Sequence, residues 1–73
     1  MAYQVILNRQ GIYRILLEQC QEGTYVNVFE SEISPGPFKD WLQDDLEMAM
    51  RACEQDFGVK REQWQTVPDE PWH

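Results

Sequence analysis

The sequence predicts an α+β domain. A three-stranded antiparallel meander comes first, then one long amphipathic helix packed on one sheet face (β-β-β-α), then an extended C-terminal tail. Three observations predict it. Runs rich in Val, Ile, Leu, Tyr and Phe fill residues 3–30 and are separated by turns that end in glycine. Ser34-Pro35-Gly36-Pro37 then breaks the pattern. Beyond it, apolar residues recur at three- and four-residue steps as far as Gly58. The 73 residues are enough for one domain, assigned to residues 1–66, with a proline-containing tail over 67–73.

Tyr3–Leu7 is the first strand, with β-branched Val5 and Ile6. Asn8-Arg9-Gln10-Gly11 reads as a turn, because glycine takes positive φ freely. Ile12–Gln19 is the second strand, Cys20-Gln21-Glu22-Gly23 the second turn and Thr24–Glu30 the third strand. Four-residue loops at both turns set Ile6 opposite Tyr13, Ile15 opposite Val28 and Leu17 opposite Val26. Alternation then groups Ile6, Tyr13, Ile15, Leu17, Val26 and Val28 on the face that takes the helix. The second face carries Tyr3, Val5, Leu7, Ile12, Arg14, Leu16, Tyr25 and Phe29, with Glu18 and Asn27 among them. A sheet with one wet face alternates apolar and polar residues. This sheet is apolar on both faces, and a one-residue slip only exchanges them.

The helix is predicted from Phe38 to about Phe57. Pro37 suits a first helical position, Gly36 or Ser34 a cap, and Gly58 the stop. Phe38, Leu42, Leu46, Ala49, Cys53 and Phe57 make the apolar stripe, widened by Trp41, Met48, Met50 and Ala52. Asp40, Asp44, Glu47 and Glu54 form an acidic face with Arg51, and Glu47–Arg51 is an i,i+4 pair worth ~0.2–0.5 kcal/mol. Asp45 falls inside the apolar arc, where a carboxylate needs a partner or shifts its pKa. It either sits at the stripe's edge, reaching water or a cation such as Lys39, or serves as a recognition or catalytic acid. Val59 to Trp64 reads as one short turn whose Val59 and Trp64 lock the helix end onto the core. The tail's two prolines favour an extended strap. Its Trp72 either covers the second sheet face, in its own chain or a neighbour's, or belongs to a loose chain end. The run Trp41–Glu47, followed by Phe57-Gly58-Val59 and Trp64, resembles a pattern shared among small bacterial proteins, and no activity comes with it.

A formal net charge of −7 opposes nucleic-acid phosphates and anionic lipid, and no apolar run approaches the ~20 residues of a membrane span. Cys20 and Cys53 stand apart, without a CxxC pair or a leader-like segment, so free thiols in a reducing cytoplasm are expected. His73 is the lone histidine, and helical di-metal sites draw on Glu-x-x-His ligands, so the acidic row reads as a solvated face. No metal or cofactor is expected. Glycine-rich phosphate loops, HExxH and GxSxG are absent from the sequence. Pairing His73 with a cysteine, or Glu30 and Glu32 with Asp40 and Asp44, makes a poor catalytic set, so no enzyme is expected.

A core this small supports roughly 3–5 kcal/mol, which makes self-association a natural reinforcement. The expectation is therefore a non-enzymatic protein–protein interaction module, homodimeric through its second sheet face, with no nucleic-acid or membrane partner. The interface set is Tyr3, Val5, Leu7, Arg14, Leu16, Tyr25, Phe29 and Trp72. Two other readings stay open. One is an acidic inhibitor or nucleic-acid mimic that presents Asp40, Asp44, Glu47 and Glu54 to a basic partner. The other is a small enzyme or ligand binder built on Asp45.

Overall fold

The computed structural model describes residues 2–9 and 11–68. In chain order these form β1 (Ala2–Arg9), β2 (Ile12–Cys20), β3 (Gly23–Phe29), β4 (Lys39–Gln43), α1 (Leu46–Phe57), a 3₁₀ turn (Arg61–Gln63) and β5 (Gln65–Val67). The α+β class is as expected, but the sheet is larger than a three-stranded meander. Its five antiparallel strands run β4-β3-β2-β1-β5. β4 extends the meander along one edge and β5 along the other.

The central register is the predicted one, with Ile15 opposite Val28 and Leu17 opposite Val26. β1 differs by one residue. Ile6 pairs with Arg14 rather than Tyr13, and Arg9 pairs with Ile12. The ladder shifts between Ile6 and Arg9, where Asn8 sits at φ 51°, in the left-handed region that asparagine tolerates. The slip exchanges the two faces of β1. Tyr3, Val5 and Leu7 lie on the helix side, and Ile6 lies on the other.

The predicted helix start is also corrected. Lys39–Gln43 is a strand, in register with β3 from Val28↔Lys39 to Thr24↔Gln43. The Phe38 N–H extends that pairing by donating to the Val28 carbonyl at 3.0 Å. Phe38 is exposed and belongs to no helical stripe. Trp41 packs towards the helix side, and Leu42 pairs with Tyr25 on the opposite face. The helix begins only after Asp45, whose backbone is extended and whose carboxylate accepts the Met48 N–H at 2.9 Å. That bond satisfies one of the unpaired donors of the first turn. The predicted stop is found: Gly58 has φ 72°, and its N–H donates to the Glu54 carbonyl at 3.0 Å.

The main core lies between the sheet and α1. Val5, Ile15, Leu17, Val26 and Val28 meet Ala49 and Cys53 of the helix, and Val59 closes one end. Trp64 packs against this core, as expected of a lock on the helix end. Arg9 Nη1 donates to the Phe57 carbonyl at 2.7 Å, tying the end of β1 to the end of α1. At the hairpin between β2 and β3, Gly23 has φ 150°, and a Cβ there would run into the Gln43 carbonyl oxygen. Only a glycine lets the end of β4 pass this close.

Candidate functional site

The second sheet face is built by alternation along all five strands. Register arranges it in three rows across the sheet. Ile6, Arg14 and Phe29 form the first. Gln4, Leu16, Asn27 and Asp40 form the second. Ala2, Glu18, Tyr25 and Leu42 form the third, with Val67 of β5 beside Ala2.

Its centre is dry. Leu16 and Ala2 are fully buried, Phe29 is 3 % exposed and Asn27 1 %. The Arg14 guanidinium lies 4.2 Å from the Phe29 ring centroid, a cation–π stack, and Arg14 Nη1 donates to Gln4 Oε1 at 3.2 Å. Asn27 Nδ2 donates to the Leu16 carbonyl at 3.2 Å and to Glu18 Oε1 at 3.1 Å. Those bonds let a carboxamide and a carboxylate sit among apolar neighbours, where unpaired polar groups would be costly. The rim is open, with Ile6 45 % exposed, Leu42 44 % and Tyr25 37 %.

Of the expected interface residues, the structure brings Arg14, Leu16, Tyr25 and Phe29 together on this face. Tyr3, Val5 and Leu7 are not part of it. They pack under the helix because of the β1 slip, and Val5 is part of the main core. Trp72 lies outside the described residues. Sequence reasoning missed Ile6, Leu42 and Val67. Asn8 was the signal for the first, since asparagine at a strand end invites a positive-φ irregularity. Asp45 was the signal for the second, because a capping residue there frees Lys39–Gln43 to form a strand.

The four acids do not share one face. Asp40 is on β4, Asp44 is in the turn before α1, and only Glu47 and Glu54 are helical. Glu47 is engaged by Arg61 and, at 3.5 Å, by Arg51. Asp45 is exposed rather than buried in an apolar stripe, and it works as a helix cap. Both cysteines are free, Cys20 exposed and Cys53 buried. Burial, and then the nearby Asp56 charge, pushes the Cys53 thiol up to about 12, so at neutral pH it is a protonated core side chain.

Among the described residues, no group of three or more His, Cys, Asp or Glu converges as a metal site, and no helix is long and apolar enough to cross a membrane. A hollow of about 230 Å³ is lined by Gln43, Met48, Arg51, Ala52 and Gln55. It is smaller than the ~300–1,000 Å³ typical of small-molecule sites. Comparison with protein-family models, curated proteins and solved structures finds no match to this chain.

Proposed function

We propose that this protein is a non-enzymatic interaction module that pairs with a second copy of itself through the second sheet face. One observation carries the reading. Ile6, Tyr25 and Leu42 stand half-exposed around the buried Leu16–Phe29 centre, on a face that lies opposite α1. Removing such side chains from water is favourable at about 25 cal/mol per Å² of apolar surface. Tyr, Phe and Arg, with the face's lack of lysine, match the composition of interface cores. The face carries Arg14 on β2 and Asp40 on the β4 edge. A two-fold pairing, in which one patch meets itself, can set these opposite charges across from each other. A net charge of −7 disfavours nucleic acid and anionic membranes as partners. Two free thiols fit a reducing cytoplasm.

The acidic-mimic reading has less support, because its four acids are dispersed and Glu47 is already paired. The Asp45 reading has none beyond the sequence, since that carboxylate is occupied in capping.

Sedimentation equilibrium across concentration and salt tests the proposal. The wild-type chain should form a dimer. Tyr25→Lys combined with Leu42→Lys should leave a monomer with an unchanged far-UV circular dichroism spectrum, because both positions are on the rim. A wild-type chain that is monomeric throughout, or a double variant that still dimerises, overturns the reading.

A further inference from the structure

We propose that the second sheet face meets a second copy of itself in one defined orientation, with Arg14 of each chain over the partner's Asp40 and Ile6 over the partner's Leu42. The orientation rests on the self-association proposed above and adds the geometry of the contact to it.

Charge supplies the starting point. Each copy carries a formal −7, so a contact that sets acid against acid is penalised. Among the described residues of this face, Arg14 is the cation and Asp40 the exposed acid, while Glu18 is buried and bonded to Asn27. A second copy can therefore offer Arg14 to Asp40 and Asp40 to Arg14. A guanidinium presents several N–H donors, so this contact is compatible with the bond to Gln4 and the stack on Phe29.

Register then fixes the symmetry axis. Two copies of one face are exchanged by a two-fold axis lying between them. Such an axis passes through the midpoint of any pair it superimposes, at right angles to the line joining that pair. Arg14 and Asp40 are two strands and one row apart. On the flattened sheet that is about 9.5 Å across the strands and about 6.5 Å along them. The axis thus crosses β3 between Phe29 and Asn27, inclined about 35° to the strands. The strands of the two copies cross at about 70°, nearer the orthogonal class of sheet packing than the aligned one.

Two further pairs fall on this axis, although neither was used to place it. Tyr25 and Gln4 are also two strands and one row apart, in the same sense, and their midpoint lies on the same line. Ile6 and Leu42 are three strands and two rows apart. Their midpoint lies on the line as well, and the axis they would choose differs by only about 10°. Charge alone placed the axis, yet it matches a phenol to a carboxamide. It also lets two aliphatic side chains, 45 % and 44 % exposed, cover each other. The two Glu18 carboxylates approach each other across the axis and oppose the contact, each held by its own Asn27 amide.

Complementation between two charge-reversed chains tests the orientation. Asp40→Arg alone sets like charges opposite each other in a homodimer, and so does Arg14→Asp alone. Each should weaken dimerisation about tenfold or more. Mixed in equal amounts, the two chains regain both ion pairs, and sedimentation should find a heterodimer with a dissociation constant within about threefold of the wild type. Interchain Overhauser contacts between the Ile6 and Leu42 methyls give a second readout that needs neither variant. They are expected in a mixture of differently labelled wild-type chains read with an isotope filter. A wild-type dimer without those contacts overturns the orientation and leaves self-association standing. Failure of two folded variants to rescue each other does the same. A wild-type chain that is monomeric throughout removes both.

Discussion

Leu16 and Leu17 are adjacent on β2, both are fully buried, and they point to opposite sides of the sheet. Leu17 shares a core with Ala49 and Cys53 of the helix, with four other buried strand residues and with Val59. Among the described residues, Leu16 shares a smaller cluster with Ala2 and Phe29, flanked by the Arg14–Phe29 stack and the Asn27–Glu18 pair. One side is sealed by a regular element with apolar contacts. The other mixes a small apolar centre with polar groups that hold one another. The two faces of one sheet are thus buried by different means, apolar packing under a helix on one and a mixed apolar and hydrogen-bonded cluster on the other.

The largest expected effect compares these two leucines. Leu17→Ala should cost roughly 2–5 kcal/mol in urea unfolding, the range for a leucine deleted from a well-packed core. Leu16→Ala should fall at the low end of that range, about 2 kcal/mol, because its cluster among the described residues is the smaller one and relaxes more readily into the vacated space. Equal costs would erase the distinction. Gly23→Ala should come next, at about 1–3 kcal/mol, because its Cβ has no room against the Gln43 and Asp44 backbone. It should loosen β4 and so disturb Trp41 on one face and Leu42 on the other, which paired tryptophan-fluorescence and association measurements would register. Asp45→Ala should cost about 1 kcal/mol in thermal unfolding, with Asp45→Asn close to wild type, because asparagine also caps. That loss should weaken the helix side and leave the mass measured by sedimentation equilibrium unchanged from the wild type.

The smallest effect is confined to alkaline pH. Cys53 has its thiol raised from 9.0 to about 12 in the folded state. Between those values the unfolded chain releases the proton and the folded chain retains it, so the folded state binds more protons and stability falls as pH rises. The contribution is fully present below pH 9.0 and is lost as pH climbs to about 12. A Cys53→Ala chain should show a shallower decline in the same window. In the native wild type, a thiol reagent should modify exposed Cys20 promptly and Cys53 only on unfolding.

The sequence made the β2–β3 pairing legible because both strands alternate cleanly and the turn ends at Gly23. Gly58 as a helix stop was legible because positive φ favours glycine. The start of the helix was not. Phe38 and Leu42 continue the three- and four-residue spacing of Leu46, Ala49 and Cys53, and periodicity cannot separate a short strand from an added helical turn. What decides between them is tertiary: the segment pairs with the β3 edge. The β1 slip escaped for a similar reason, since it depends on one backbone irregularity near Asn8 and hydropathy is indifferent to it on a sheet apolar on both faces. Half of the candidate site followed from the correct β2–β3 register, and the Tyr3–Val5–Leu7 part was misplaced by that single residue.

The strand order has a kinetic consequence. In β4-β3-β2-β1 every neighbour in space is also the next strand along the chain, so these pairs close over short loops, with the nine residues between β3 and β4 the longest gap. β5 alone returns from far away to clasp β1, through three pairings. Long-range closure is entropically slow, so the meander should zip first and the β5 clasp should dock last. The same clasp should be the first to open in native-state hydrogen exchange, releasing the amides of Gln65–Val67 before those of the β2–β3 hairpin.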